Sequence, residues 1–237
     1  MELVGSIAVG LTRLFGSVQP EGLENLPMNG PAIIAVNHTT IADVPPVLST
    51  LYRAGLRPSV PCADDECGTV HGHVRFMAAS QVFNNTFIGP LARHAGMVEV
   101  GWRQAGSVAL GAAREALGRG EIIGIYPEGD VSATEDGSPR RFRFGVGRLA
   151  LDAQVPVIPV AHHDARTIGS GSVPRSLAGA LTSIVRRPTI RLRVGPPVLP
   201  EEFAGMAIRD VVDLIQARVT DIWRSLAGEH APRIHEK

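Results

Sequence analysis

No uninterrupted apolar run in the 237 residues approaches the roughly 20 needed to span a bilayer. Nor does a basic n-region with an apolar core mark a signal peptide. Cysteine is scarce. Cys62 and Cys67, alone in a polar stretch, make no disulfide framework, so a reducing, cytoplasmic setting is the default. With His71 and His73 they offer four zinc-type ligands, but the spacing matches no standard finger and no metal is expected. Net charge is lacking too, since 23 basic residues balance 23 acidic ones. That removes the bulk electrostatic footprint of nucleic-acid binding and any strong general pull toward anionic membranes. Lysine is all but missing: every cation except Lys237 is arginine. Arginine's planar fork grips phosphate or carboxylate at two points, although a coding bias toward Arg and Ala accounts equally for the excess. No internal repeat appears, and no stretch is rich enough in Pro, Gly or Ser to separate domains.

What is present is a chain that is 44% hydrophobic, enough to bury a substantial core. Short apolar runs alternate with helical patterns, the signature of an α/β sheet. The runs predict strands over Ala32–Val36, Arg75–Ala78, Met97–Val100, Ile122–Tyr126, Val157–Val160 and Thr189–Val194. Helices are predicted over Ile41–Ala54, Ala105–Arg119, Gly145–Gln154 and Ile208–Ala227, the last with an apolar stripe of Val211, Leu214, Ile215, Val219, Ile222 and Leu226. The expected organisation is one domain: an amphipathic helical segment over 1–21, an α/β core over 22–227 and a tail over 228–237. In the first segment Leu3, Ile7, Leu11 and Leu14 share a helical face, which suits packing on the domain or seating at a membrane interface.

The segment Asn37-His38-Thr39-Thr40-Ile41-Ala42-Asp43 follows the first predicted strand. Imidazole suits proton transfer near neutrality, and a carboxylate brought beside it fixes its tautomer. Asp43 also reads as an N-cap or first-turn residue of the next helix. Downstream, Tyr126-Pro127-Glu128-Gly129 closes a second apolar run with a tight turn that exposes a carboxylate. Val155-Pro156-Val157-Ile158-Pro159-Val160 is a third run, and His162-His163-Asp164 behind it are further cleft candidates. No Gly-x-Ser-x-Gly elbow is present and neither cysteine ends a strand. The sequence thus offers no evident covalent nucleophile, and backbone amides near Gly129 or in the Asn37–Ile41 turn could stabilise a developing oxyanion. Gly145-Val146-Gly147-Arg148-Leu149-Ala150 mimics a dinucleotide fingerprint, but it follows a basic loop rather than a strand.

His-x4-Asp, then Pro-Glu-Gly, then Val-Pro-Val-Ile-Pro-Val, in this order from about Gly22 to Pro197, resembles the PlsC-like glycerophospholipid acyltransferase family. The resemblance implies a glycerol-3-phosphate acyltransferase-like fold, a mixed central sheet flanked by helices. It implies an acyltransferase in which His38 is general base and Asp43 orients it. The acyl group would move from acyl-CoA or acyl carrier protein, as co-substrate rather than cofactor, to a lysophospholipid hydroxyl. The location implied is peripheral, at the inner face of the cell membrane. Asn37, Glu128, Gly129, Asp130, Arg103, Arg141 and Arg143 are the substrate-contact candidates. One departure matters: the family reads Glu-Gly-Thr-Arg where this chain has Glu128-Gly129-Asp130-Val131. Either nearby arginines hold the acceptor's phosphate, or the acceptor carries none (an aminolipid, a glycolipid or a natural product). The third alternative is a non-catalytic lipid- or acyl-carrier-binding protein.

Overall fold

The computed structural model describes residues 2–59, 72–86, 88–101, 106–131, 134, 136–168, 179 and 182–228. Cys62, Cys67, His71, Arg103 and the tail from residue 229 lie outside the described residues. Eight strands form one sheet: β1 (Ser17–Glu21), β2 (Ala32–Val36), β3 (Arg57–Pro58), β4 (His73–Ala79), β5 (Val98–Val100), β6 (Ile122–Ile125), β7 (Val157–His163) and β8 (Thr189–Val194). Their order is β1-β8-β7-β2-β6-β4-β3, with β5 on β4. Every pairing is parallel except β7 with β8. The mixed α/β sheet expected from the sequence is the fold observed.

Helices α1 (Glu2–Phe15), α2 (Val44–Arg53), α3 (Ser80–Asn84), α4 (Ile88–His94), α5 (Gly106–Gly118), α6 (Phe144–Ala153), α7 (residues 182–186), α8 (Pro200–Phe203) and α9 (Ile208–Gly228) surround it. The central strand β2 is fully buried along its length, as a strand covered on both faces must be. Its side chains alternate between two cores. Ile33 and Ala35 join α5, α6 and α9, whereas Ala32, Ile34 and Val36 join Val47 and Leu51 of α2. Neighbouring strands β2 and β6 are thus followed by helices on opposite faces. Their carboxyl-end loops diverge there, which is where open α/β sheets build sites.

Some elements escaped the sequence reading. The β1 segment, Ser-Val-Gln-Pro-Glu, has no apolar alternation and contains Pro20, which an edge strand tolerates because one side needs no donors. β8 carries Arg191 and Arg193 but is not an edge: β1 covers it, and the two arginines pair with Asp164 and Glu21. On α9 the buried stripe is Val211, Val212, Ile215, Val219, Trp223 and Leu226, rotated away from the expected Leu214 and Ile222. Gly147, the second glycine of the fingerprint-like run, sits where α6 meets α9. A Cβ there would stand 2.6 Å from Val212 Cγ2, so the glycine serves helix packing rather than a nucleotide.

Helix α1 packs on α2 through Val4, Ala8 and Thr12, and Gly5 lies against the ring of Tyr52. Its leucines Leu3, Leu11 and Leu14 stay exposed. No helix among the described residues is long and apolar enough to cross a membrane.

Candidate active site

Three strand ends converge at the β2–β6 divergence. Asn37 and His38 run off β2, and Thr40 caps a 3-10 turn over Ile41–Asp43. The Thr40 hydroxyl accepts the Ala42 N–H at 3.3 Å, and the Asp43 carboxylate reaches back to the Thr40 N–H at 3.1 Å, a capping box. The same carboxylate accepts the Thr39 N–H at 2.9 Å and lies 3.0 and 3.1 Å from His38 Nδ1. A carboxylate only accepts, so Nδ1 carries the hydrogen and Nε2 presents its lone pair outward. The His38 side chain keeps 14% exposure, whereas Asp43 has none. Burial by itself would raise the Asp43 carboxyl; His162 and His38 outweigh it and hold Asp43 far below the usual carboxylate range. Asp43 is therefore both the capping residue and the histidine's partner.

The turn after β6 forms the second wall. Gly129 has a φ of 72°, and a Cβ on it would fall 2.4 Å from the Arg143 guanidinium, so both conformation and space call for glycine. Glu128 is buried, with Oε1 accepting the His38 N–H at 2.8 Å and Oε2 the Arg140 N–H at 2.9 Å. Burial pushes its carboxyl up, and the two amides pull it only part of the way back. The exposed carboxylate expected here is instead a clamp joining β2, the turn and the 140–143 loop. Arg143 closes the turn from outside, its Nε donating to the Glu128 carbonyl at 3.0 Å and its N–H to the Pro127 carbonyl at 2.8 Å. Phe142, within the Arg-Arg-Phe-Arg run, is buried in the core rather than offered to a lipid or adenine. The Tyr126 ring stacks on His38 with centroids 4.3 Å apart. Its hydroxyl is buried without a partner among the described residues.

The third wall is β7, which continues past Val160 to His163. Asn37 is fully buried, and its amide spans the His162 backbone: Nδ2 donates to the carbonyl at 3.2 Å and Oδ1 accepts the N–H at 2.9 Å. Asn37 thus extends the β2–β7 ladder. The His162 side chain enters the site, with Nε2 2.9 Å from the Asn37 carbonyl and 3.2 Å from Asp43 Oδ2. His163 turns aside to Asp164 at 2.7 Å.

The remaining candidates stand further out. Asp130 and Arg141 are exposed, and the Asp130 carboxylate accepts the Val131 N–H at 2.8 Å. Among the amides considered as oxyanion donors, His38 is bound to Glu128, Thr39 and Thr40 to Asp43, and Gly129 to the Tyr126 carbonyl at 3.0 Å. Ile41 opens the 3-10 turn, so its N–H has no acceptor within that turn. No cluster of metal-ligating side chains occurs among the described residues.

At the divergence of the mixed α/β sheet stands a histidine with a buried carboxylate at its Nδ1 and, among the described residues, no serine or cysteine hydrogen-bonded to it. The chain belongs to the Acyltransferase family, whose model matches residues 17–163. An uncharacterized protein of Mycobacterium tuberculosis is 29% identical over 147 residues, 60% of this chain and 36% of the relative. The chain thus spans little more than a third of that relative's length. A Bacillus subtilis 1-acyl-sn-glycerol-3-phosphate acyltransferase is 23% identical over 197 residues, 83% of this chain and 81% of its own. The crystal structure of PlsC from Thermotoga maritima, a 1-acyl-sn-glycerophosphate (LPA) acyltransferase, superimposes with a TM-score of 0.66 at 20% identity. That match covers 95% of this chain and 79% of the other.

Proposed function

We propose that this protein moves a fatty acyl group from an acyl thioester, acyl-CoA or acyl carrier protein, to the hydroxyl of a lysophospholipid such as lysophosphatidate. The observation that carries the reading is the contact of His38 Nδ1 with Asp43, which leaves Nε2 as the only basic atom of the pair turned outward. Nε2 takes the acceptor's hydroxyl proton as the oxygen attacks the thioester carbonyl carbon. The tetrahedral oxyanion then collapses, the C–S bond breaks, and the imidazolium returns its proton to the leaving thiolate. Asp43 stabilises the imidazolium between these steps. No serine or cysteine hydrogen-bonds to His38 among the described residues, which favours direct transfer over an acyl-enzyme. The Ile41 amide is the candidate donor for the oxyanion, since the amides before it in the turn are engaged.

Exposed Leu3, Leu11 and Leu14 on α1 favour peripheral seating on the inner membrane face, where a lysophospholipid is met. A second reading, an acceptor without a phosphomonoester, is favoured by exposed Asp130 beside Val131 and by the engagement of Arg143 in the turn. The test is thiol release from palmitoyl-CoA and from palmitoyl carrier protein, with lysophosphatidate and with neutral and cationic lyso-lipids. Release that requires lysophosphatidate and is abolished in His38→Ala supports the first reading. Release only with another acceptor supports the second, and equal release by wild type and His38→Ala refutes both.

A further inference from the structure

We infer that His162 is a positioning residue for the His38–Asp43 pair, holding the carboxylate through Oδ2. This deepens the proposed function and rests on it. The His162 side chain is 1% exposed. Its Nε2 faces two groups that can only accept, the Asn37 carbonyl at 2.9 Å and Asp43 Oδ2 at 3.2 Å, so Nε2 carries the hydrogen. Its other nitrogen, Nδ1, is buried with no partner among the described residues. A buried polar atom left unpaired lowers stability, because its lost hydration is not replaced. An apolar side chain would fill the same space without that cost, so the histidine is accounted for by what Nε2 does.

Its effect on Asp43 follows from the donor count. Oδ2 receives the Thr39 and Thr40 amides and His162 Nε2, which pins the carboxylate's rotation and holds both of its oxygens beside His38 Nδ1, at 3.0 and 3.1 Å. The amide of Asn37 fixes the backbone of His162 at both its N–H and its carbonyl, so the ring is registered against the residue that precedes His38. The polar chain therefore runs His162–Asp43–His38, with one end sealed in the fold and the other open at Nε2 of His38.

The full-length chain tests this with His162→Leu, which keeps bulk but no donor, and His162→Gln, whose amide nitrogen can stand where Nε2 stood. The first readout needs no turnover: the low-field proton of His38 Nδ1, identified by its loss in His38→Ala. It is expected to broaden or vanish in the Leu variant and to persist in the Gln variant. In thiol release from palmitoyl-CoA with the best acceptor, kcat of the Leu variant is expected to fall about 10–100-fold, the usual effect of removing an orienting partner. KM stays unchanged and Gln restores most of the rate. If the Leu variant does not fold, His162→Asn replaces it, because its shorter amide cannot reach Asp43, and it should behave as a donor-less variant. A donor-less variant that keeps the wild-type resonance and kcat overturns the proposal, as does Gln performing no better than Leu or Asn. Should wild type and His38→Ala release thiol equally, the acyltransferase reading fails while the resonance still decides the role of His162.

Discussion

Replacing Asp43 by asparagine separates its two roles without changing its shape. Asparagine offers one acceptor oxygen where aspartate offers two, and a nitrogen that only donates. Oxygen turned toward Oδ2's position keeps the amides of Thr39 and Thr40 and the His162 donor. Oxygen turned toward His38 keeps one contact and aims the new NH2 at three N–H groups. At about 1 kcal/mol per hydrogen bond, the first orientation wins clearly. Its nitrogen then stands at the nearer of the two positions beside His38 Nδ1, 3.0 Å against 3.1 Å, and the remaining oxygen is shared with three other donors, so the tautomer with its hydrogen on Nε2 is favoured and the base is weakened. The same tautomer exchange in a serine protease triad lowers kcat about 10⁴-fold, and a loss of that order is expected for Asp43→Asn.

Stability is expected to change far less, because the capping contacts survive. Asp43→Ala removes them as well and should cost a further 0.5–2 kcal/mol or so, the range for a lost cap. Thiol release measured beside urea unfolding for wild type and both variants checks this. An Asp43→Asn enzyme within about tenfold of wild type would refute the tautomer argument.

Glu121→Ala should destabilise by about 3–5 kcal/mol in urea unfolding, since it removes the carboxylate that neutralises the buried guanidinium of Arg75 and that accepts the Ser59 hydroxyl. Tyr126→Phe should keep activity and melt at or slightly above the wild-type temperature, because it deletes a buried unpaired hydroxyl and retains the stack on His38. Burial would raise Asp43, Glu121 and Asp164, but their hydrogen bonds and charged neighbours hold all three below ordinary values. Depressed carboxyls contribute stability that is complete above their unfolded pKa values, about 3.9–4.3, and is lost as pH falls through those values toward the folded ones. Glu128, raised by burial, acts in the opposite sense. The urea midpoint should therefore decline as pH drops below about 4.3; a midpoint that stays flat or rises would contradict the balance.

Much of this site was legible because its chemistry lies at strand ends. β2 and β8 run between the residues expected, and His38 sits just past β2. The misses share a cause. Glu128 and Asn37 looked like ligand contacts, yet their partners lie 90 and 125 residues away in sequence, on strands whose neighbours only topology decides. His162 was one of three polar residues behind a predicted strand. That strand is buried on both faces and shows no alternation, so the side chain that turns inward could not be read from the pattern. Periodicity revealed the amphipathic character of α1 but not its orientation: small residues pack on α2 and the leucine face stays outside. A period states that two faces differ, and the partner surface decides which is buried.

Catalytic geometry and acceptor choice are built by different atoms here. Glu128 binds the His38 amide and Gly129 admits Arg143 against the turn, so the base is positioned before the chain reaches Asp130. Val131, where the family pattern reads arginine, donates its amide to the neighbouring Asp130 carboxylate. Loss of that arginine can therefore alter which acceptor is held while leaving the proton-transfer pair intact. Capping the turn accounts for the two amides on this buried carboxylate but not for the two imidazoles, which a protein that had abandoned catalysis would not need. The departure at Asp130-Val131 is better accounted for as a change of acceptor than as decay of the site.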